Sequence, residues 1–191
     1  SKRISILGFG TVASGVVRIL TGQSGMVSRR SGCGFDIRHV AVRDVSKPRD
    51  VELPAGVITA DWKSAATDPE VEIVLELMGG TTTAREAVLA AIGAGKHVVT
   101  ANKSLLSEHG DEIFSAAREA GVCVAYEAAV AGGVPIISTL QTSMTSNQIV
   151  SISAILNGTS NFILSGMLGE RRSYDDVLAE AQRLGYAEAD P

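Results

Sequence analysis

Ile4-Ser5-Ile6-Leu7-Gly8-Phe9-Gly10-Thr11-Val12-Ala13-Ser14-Gly15-Val16-Val17-Arg18-Ile19-Leu20 decides the fold. A short apolar run stops at Gly8, and after a glycine-rich turn the apolar positions Val16, Val17, Ile19 and Leu20 recur at helical spacing. The stretch therefore reads as strand, glycine turn and helix. Gly8 permits the tight turn, Gly10 lets the backbone approach a pyrophosphate, and small Ala13 allows close helix–strand packing. The helix N-terminus would then face phosphates. Gly8, Phe9, Gly10, Thr11, Val12 and Ala13 are thus candidate dinucleotide-binding residues, with a purely structural turn as the alternative.

Outward from this unit the pattern repeats. A polar stretch from Gly22 to Gly34 reads as a long loop, and Ile37 to Val42 as the second strand. Val57–Thr59, Val71–Met78, His97–Ala101 and Val122–Tyr126 read as further strands. Between them lie one helical turn at Trp62–Ala66 and helices over Thr83–Ala94 and Glu108–Ala120, the last two followed by glycine. Strands alternating with helices imply right-handed crossovers, hence an α/β fold with a doubly wound, mostly parallel sheet covered on both faces. The rhythm changes after Glu127, and a boundary is expected near residue 133, giving a dinucleotide-binding domain over 1–133. Residues 134–191 carry an apolar helix, a strand over Ile149–Leu156 and a helix over Tyr174–Leu184. That is too little for an independent core, and reads as the beginning of a second, α+β domain.

Composition narrows the function classes. The 191 residues are 45% hydrophobic and 20% charged, enough for a substantial buried core. A formal net charge of −4 offers no general attraction for nucleic acid or anionic membrane, so any phosphate must be held locally. Ser1-Lys2-Arg3 leads directly into a strand, and no apolar run approaches the ~20 residues of a membrane span. A soluble, cytoplasmic protein with a small-molecule substrate is expected. Cys33 and Cys123 lack metal-ligand spacing, and His39, His97 and His109 form no triad or ligand pattern, so all five read as structural.

Further candidates stand at strand ends. A site preferring NAD would place an acid after the second strand, whereas this chain has Arg43 followed by Asp44. A guanidinium suits a 2′-phosphate, which points to NADP, while Asp44 leaves NAD use open. Gly79-Gly80-Thr81 and Thr100-Ala101-Asn102-Lys103 follow the next two strands, at the edge where open α/β sheets bind ligands. Small residues at the first site could let a nicotinamide lie against the backbone, and Lys103 could donate to a carbonyl or instead be a surface lysine. Glu127-Ala128-Ala129-Val130-Ala131-Gly132-Gly133-Val134-Pro135 sets one carboxylate before free backbone carbonyls. That set suits a hard cation, though a structural turn explains it equally. Asn157-Gly158-Thr159-Ser160-Asn161 and the pair Glu188 and Asp190 could grip a substrate or form exposed turns.

Taken in order, Gly8-Phe9-Gly10-Thr11-Val12, Ala101-Asn102-Lys103, Glu127-Ala128-Ala129-Val130 with Gly132-Gly133-Val134-Pro135, Asn157-Gly158-Thr159-Ser160-Asn161 and Gly185-Tyr186-Ala187-Glu188-Ala189-Asp190-Pro191 resemble homoserine dehydrogenase over essentially the whole chain. The resemblance implies a Rossmann-type cofactor domain and reversible NAD(P)H-dependent interconversion of L-aspartate 4-semialdehyde and L-homoserine. That reaction belongs to threonine, methionine and isoleucine biosynthesis. It implies that Lys103 is an active-site lysine beside nicotinamide and substrate, and that Glu188 binds the substrate's amino end beside Asn157, Gly158, Thr159 and Tyr186. Glu127, Val130, Gly132 and Val134 would hold a sodium ion, and the second domain would form a homodimer. Ala13 in place of the commoner third glycine is a small-for-small departure.

In the family the motif begun at Gly185 continues to an aspartate and a proton-donating lysine that lie beyond Pro191. The chain is therefore expected to be the cofactor-binding part of a longer enzyme, inactive alone. Two alternatives remain: a non-catalytic nucleotide-sensing module, and a related reductase acting on another amino-acid aldehyde.

Overall fold

The computed structural model describes residues 1–155, 157–184 and 186–187. The chain divides into two compact units, Ser1–Ala129 and Val130–Pro191.

In the first unit the strands are β1 (Lys2–Leu7), β2 (Phe35–Ala41), β3 (Ile58–Thr59), β4 (Ile73–Glu76), β5 (His97–Thr100) and β6 (Val124–Ala125). They form one sheet in the order β3-β2-β1-β4-β5-β6, every neighbouring pair parallel. The chain runs outward from β1 to β3, then returns to the other flank of β1. The order reverses between β1 and β4, and the crevice at their carboxyl ends is where open α/β sheets take ligands.

Helices α1 (Thr11–Gly22), α2 (Ser24–Ser31), α3 (Trp62–Thr67), α4 (Thr82–Gly93) and α5 (Lys103–Ala120) make the connections. One apolar cluster joins Ile4, Ile6 and Leu75 of the strands to Ala13 and Val17 of α1. The other joins Leu7, Val74 and Val98 to Val88 and Ile92 of α4 and to Leu105 and Ile113 of α5. Val74 and Leu75 enter opposite clusters because side chains alternate across a strand. Full burial of each such side chain contributes about 1.5–3 kcal/mol, which is why Ile73, Val74 and Leu75 of β4 read as an apolar run.

The elements differ from the sequence expectation in four places. The polar stretch between α1 and β2 is helical as α2, which buries no residue and so has no apolar period to betray it. It ends where Gly32 turns left-handed, at φ +76°. Helix α5 begins at Lys103 instead of Glu108, because the Asn102 side-chain oxygen accepts from Leu105 N–H at 3.1 Å and caps it. The last strand is shorter than read, since Val122 N–H closes the end of α5 on Ala117 O at 3.0 Å.

The fourth difference lies in the second unit, which contains α6 (Ile136–Ser138), a π-helical turn over Thr139–Ser143, α7 (Gly158–Gly169) and α8 (Tyr174–Arg183). Residues 149–155, expected as a strand, form no ladder, and Val150 is 92% exposed. A strand needs a neighbour for its N–H and C=O groups, and the described residues of this unit hold none. Leu156 lies outside the described residues. Asn157 and Gly158, expected in a polar turn, instead open α7, with the Asn157 side chain accepting from Ser160 N–H at 2.9 Å. Helices α7 and α8 meet at Gly166, where a Cβ would stand 2.9 Å from both methyls of Val177.

Candidate functional site

Gly8 is fixed by contacts on both sides of β1. Its N–H donates to Ala41 O at 2.8 Å, while Leu77 N–H donates to Leu7 O at 2.8 Å. Its φ is +90°, and a Cβ there would lie 2.5 Å from the Leu77 carbonyl oxygen and 2.6 Å from Met78 Cα. Only glycine meets both constraints. Gly10 differs: it caps α1 in an extended conformation, and a Cβ on it would meet nothing within 4 Å. The backbone there borders open space at the start of a twelve-residue helix, whose first N–H groups have no intrahelical acceptor. Thr11 and Val12 are exposed in that first turn, while Ala13 is buried against the sheet. Room, free donors and the positive end of the dipole fit the pyrophosphate of a dinucleotide.

At the end of β2, Arg43 is exposed. Asp44 turns back into its own loop, where the Ser46 hydroxyl and N–H donate to Oδ1 at 2.6 and 2.9 Å and hold its carboxyl below the ordinary value. One residue that the sequence did not single out completes this corner. Arg49 donates to Lys47 O at 2.7 Å and Asp44 O at 2.8 Å, and its guanidinium carbon stands 5.9 Å from the centre of the Phe9 ring. It ties the loop after β2 to the glycine turn.

At the end of β4 and β5, Glu76, Thr100 and Asn102 are buried together, with Glu76 0% exposed. The Thr100 hydroxyl donates to Glu76 Oε2 at 2.6 Å, so Thr100 faces any ligand through its backbone alone. Beyond this cluster, Gly79 and Gly80 have φ of +73° and +71°, Thr81 precedes α4, and exposed Lys103 is the first residue of α5. The loops bearing residues 8–13, 43, 79–81 and 100–103 all leave the carboxyl ends of parallel strands, so the topology gathers these candidates along one edge. The sequence pattern singles out neither Glu76 nor Arg49; a lone acid ending an apolar parallel strand is the available signal for Glu76.

Glu127 lies in a 3₁₀ turn, Glu127–Ala129, that ends the first unit. In the second unit Ala131 and Gly132 have φ of +54° and +60°, and Val134 O accepts from Ile136 N–H at 2.8 Å, leaving its second lone pair. One carboxylate with backbone carbonyls is a donor set suited to a hard cation. Thr159 donates its hydroxyl to Tyr186 O, and the Tyr186 ring sits 5.2 Å from that of Phe162. Glu188 lies outside the described residues. His39 pairs with Asp68 at 2.6 Å, and His97 Nδ1 accepts from Cys123 N–H at 3.0 Å, both in structural settings.

The family description "Homoserine dehydrogenase, NAD binding domain" matches residues 8–127, and "Homoserine dehydrogenase" matches residues 135–191. The homoserine dehydrogenase of Pseudomonas aeruginosa is 49% identical over 99% of this chain, and that of Bacillus subtilis 43% identical over 99%. The chain spans 43% and 44% of those relatives' own lengths. The crystal structure of a homoserine dehydrogenase from Thiobacillus denitrificans superposes with a TM-score of 0.91 at 48% identity, covering 100% of this chain and 44% of that one. A hyperthermophilic archaeal homoserine dehydrogenase in complex with NADPH gives 0.79 at 26% identity, covering 100% of this chain and 63% of that one. No helix among the described residues is long and apolar enough to cross a membrane.

Proposed function

Because the chain belongs to the homoserine dehydrogenase family, we propose that it supplies the cofactor site and part of the substrate site for NAD(P)H-dependent interconversion of L-aspartate 4-semialdehyde and L-homoserine. The observation that carries this reading is the pairing of Gly8, where no side chain fits, with Gly10, where the backbone borders open space at the N-terminus of α1. Such a turn takes a pyrophosphate and lays the dinucleotide across the β1–β4 switch point. Bound there, the cofactor supplies hydride. Lys103, at the start of α5, stands on the same edge and would donate a hydrogen bond to the substrate's carbonyl oxygen or to the cofactor amide.

NADP is the preferred cofactor in this reading. Arg43 is exposed for a 2′-phosphate, while Asp44 is engaged by Ser46. Asn157, Gly158, Thr159, Tyr186 and Glu188 form the substrate-side set, with Glu188 receiving the substrate ammonium. Glu127 and the carbonyls of Val130, Gly132 and Val134 hold a sodium ion, a role for which their oxygen chemistry is suited. In this reading the protein works as a cytoplasmic homodimer.

Initial rates of NADP⁺-dependent L-homoserine oxidation by the full-length protein test the proposal. The expected result is turnover that falls by about 10²–10³ in Lys103→Ala, the loss of one donor to the reacting oxygen. A folded protein that binds NADPH but oxidises no homoserine would refute it.

A further inference from the structure

We infer that Glu76 is a positioning residue for the nicotinamide end of the cofactor site, locking the loop after β4 to the start of α5. The inference rests on the dinucleotide reading above. Glu76 ends β4 with 0% exposure, one of only a few polar side chains buried among the described residues. An ionisable group is costly to bury, and apolar replacements of similar volume often stabilise a fold. Packing alone gives no reason for a carboxyl group there; its hydrogen bonds do.

Glu76 Oε1 accepts from Met78 N–H at 2.9 Å and so shapes the turn into Gly79-Gly80. Oε2 accepts from the Thr100 hydroxyl at 2.6 Å, and Thr100 Oγ1 in turn accepts from Asn102 N–H at 3.0 Å. The Asn102 amide donates to Gly80 O at 2.7 Å, while its Oδ1 accepts from Leu105 N–H and caps α5. These links close a ring from β4 through β5 and back to the glycine loop. The glycine loop in the ring carries the two left-handed residues Gly79 and Gly80, and Lys103 follows Asn102 in the chain. A carboxylate offers acceptors alone, so it can serve the Met78 N–H, the Thr100 hydroxyl and, at 3.5 Å, the Asn102 amide at once; glutamine in its place turns an amide N–H₂ toward one of them. The ring is therefore a rigid support for the groups nearest the hydride, of the kind a preorganised site needs.

The test compares two ligands that share every part but one. NADPH and 2′-phospho-ADP-ribose are titrated separately into the full-length protein and its variants Glu76→Gln and Asn102→Ser; serine keeps the helix cap but removes the donor to Gly80. Loss of one or two hydrogen bonds at the nicotinamide end should weaken NADPH by about tenfold and leave 2′-phospho-ADP-ribose within about twofold. Thr100→Ser, which keeps the hydroxyl, should retain wild-type affinity for both. Equal weakening of the two ligands, or unchanged NADPH affinity, overturns the inference. If Glu76→Gln does not fold, Asn102→Ser is decisive by the same criterion. Wild-type protein that binds neither ligand would overturn the dinucleotide reading and this inference with it.

Discussion

Alanine at Gly8 and at Gly10 should fail in opposite ways. At Gly8 the new Cβ would lie 2.5 Å from Leu77 O and 2.6 Å from Met78 Cα, both backbone atoms of the β4 exit, and φ is +90°. A non-glycine residue held in such a conformation costs about 1–3 kcal/mol, and forcing apart two well-packed strand ends about as much again. The sum, about 2–6 kcal/mol, is a large part of the ~5–15 kcal/mol that holds a domain together. At about 2–4 °C per kcal/mol for a protein of this size, Gly8→Ala should lower Tm by at least ~4 °C. Gly10→Ala meets no atom within 4 Å, and at φ −101° alanine is unstrained. The poorer cap costs up to about 1 kcal/mol, so Tm should move by less than ~4 °C. The methyl group would instead occupy the approach to the pyrophosphate. Losing one charge-assisted hydrogen bond there, worth about 1.5–3 kcal/mol, weakens NADPH by about 10–100-fold. Thermal unfolding and NADPH titration of both full-length variants decide the matter. Wild-type Tm in Gly8→Ala would refute the close-approach argument, and wild-type affinity in Gly10→Ala would refute the placing of the pyrophosphate.

Arg43→Ala should weaken NADPH by about 1–3 kcal/mol and NADH far less, measured by parallel titrations; equal losses would remove Arg43 as the phosphate reader. The bidentate Arg85–Glu112 pair, at 2.6 and 2.5 Å, joins α4 to α5 and lowers the Glu112 carboxyl below its ordinary value, chiefly through the hydrogen bonds from Arg85. A carboxyl lowered on folding lends stability above its unfolded value and loses it as pH falls through the folded one. Glu112→Gln should therefore destabilise at neutral pH and match the parent once the pH is well below about 4.3, as followed by urea unfolding at several pH values. Gly166→Ala should cost about 1–3 kcal/mol by pushing α7 from α8. Val177→Ala in the same chain should recover part of that, and strict additivity of the two Tm losses would contradict the contact.

The elements legible in sequence are those whose burial is written in apolar side chains. Strand β4 is readable because Val74 and Leu75 feed two cores, and the turn after β1 because Gly8 has a steric task. Helix α2 was hidden because it packs nothing away, and the early start of α5 because its signal is one side-chain cap, Asn102. The segment 149–155 has the composition of a strand, but composition cannot say whether a neighbouring strand is present to take its hydrogen bonds. In the site, Arg43, Lys103 and the glycine turns were legible from their place at strand ends. Glu76 and Arg49 were not, since their partners stand far away in sequence: Thr100 for one and Phe9 for the other.

On the proposed function, the turn from Gly8 to Ala13, at the β1–β4 switch point, holds a nicotinamide dinucleotide. Titration of the protein with NADPH, followed by nicotinamide fluorescence, tests it most directly. Saturable binding at one site per chain is expected, displaced by NADP⁺ and by 2′-phospho-ADP-ribose and weakened by Gly10→Ala. A protein folded by circular dichroism whose fluorescence titration does not saturate would contradict it.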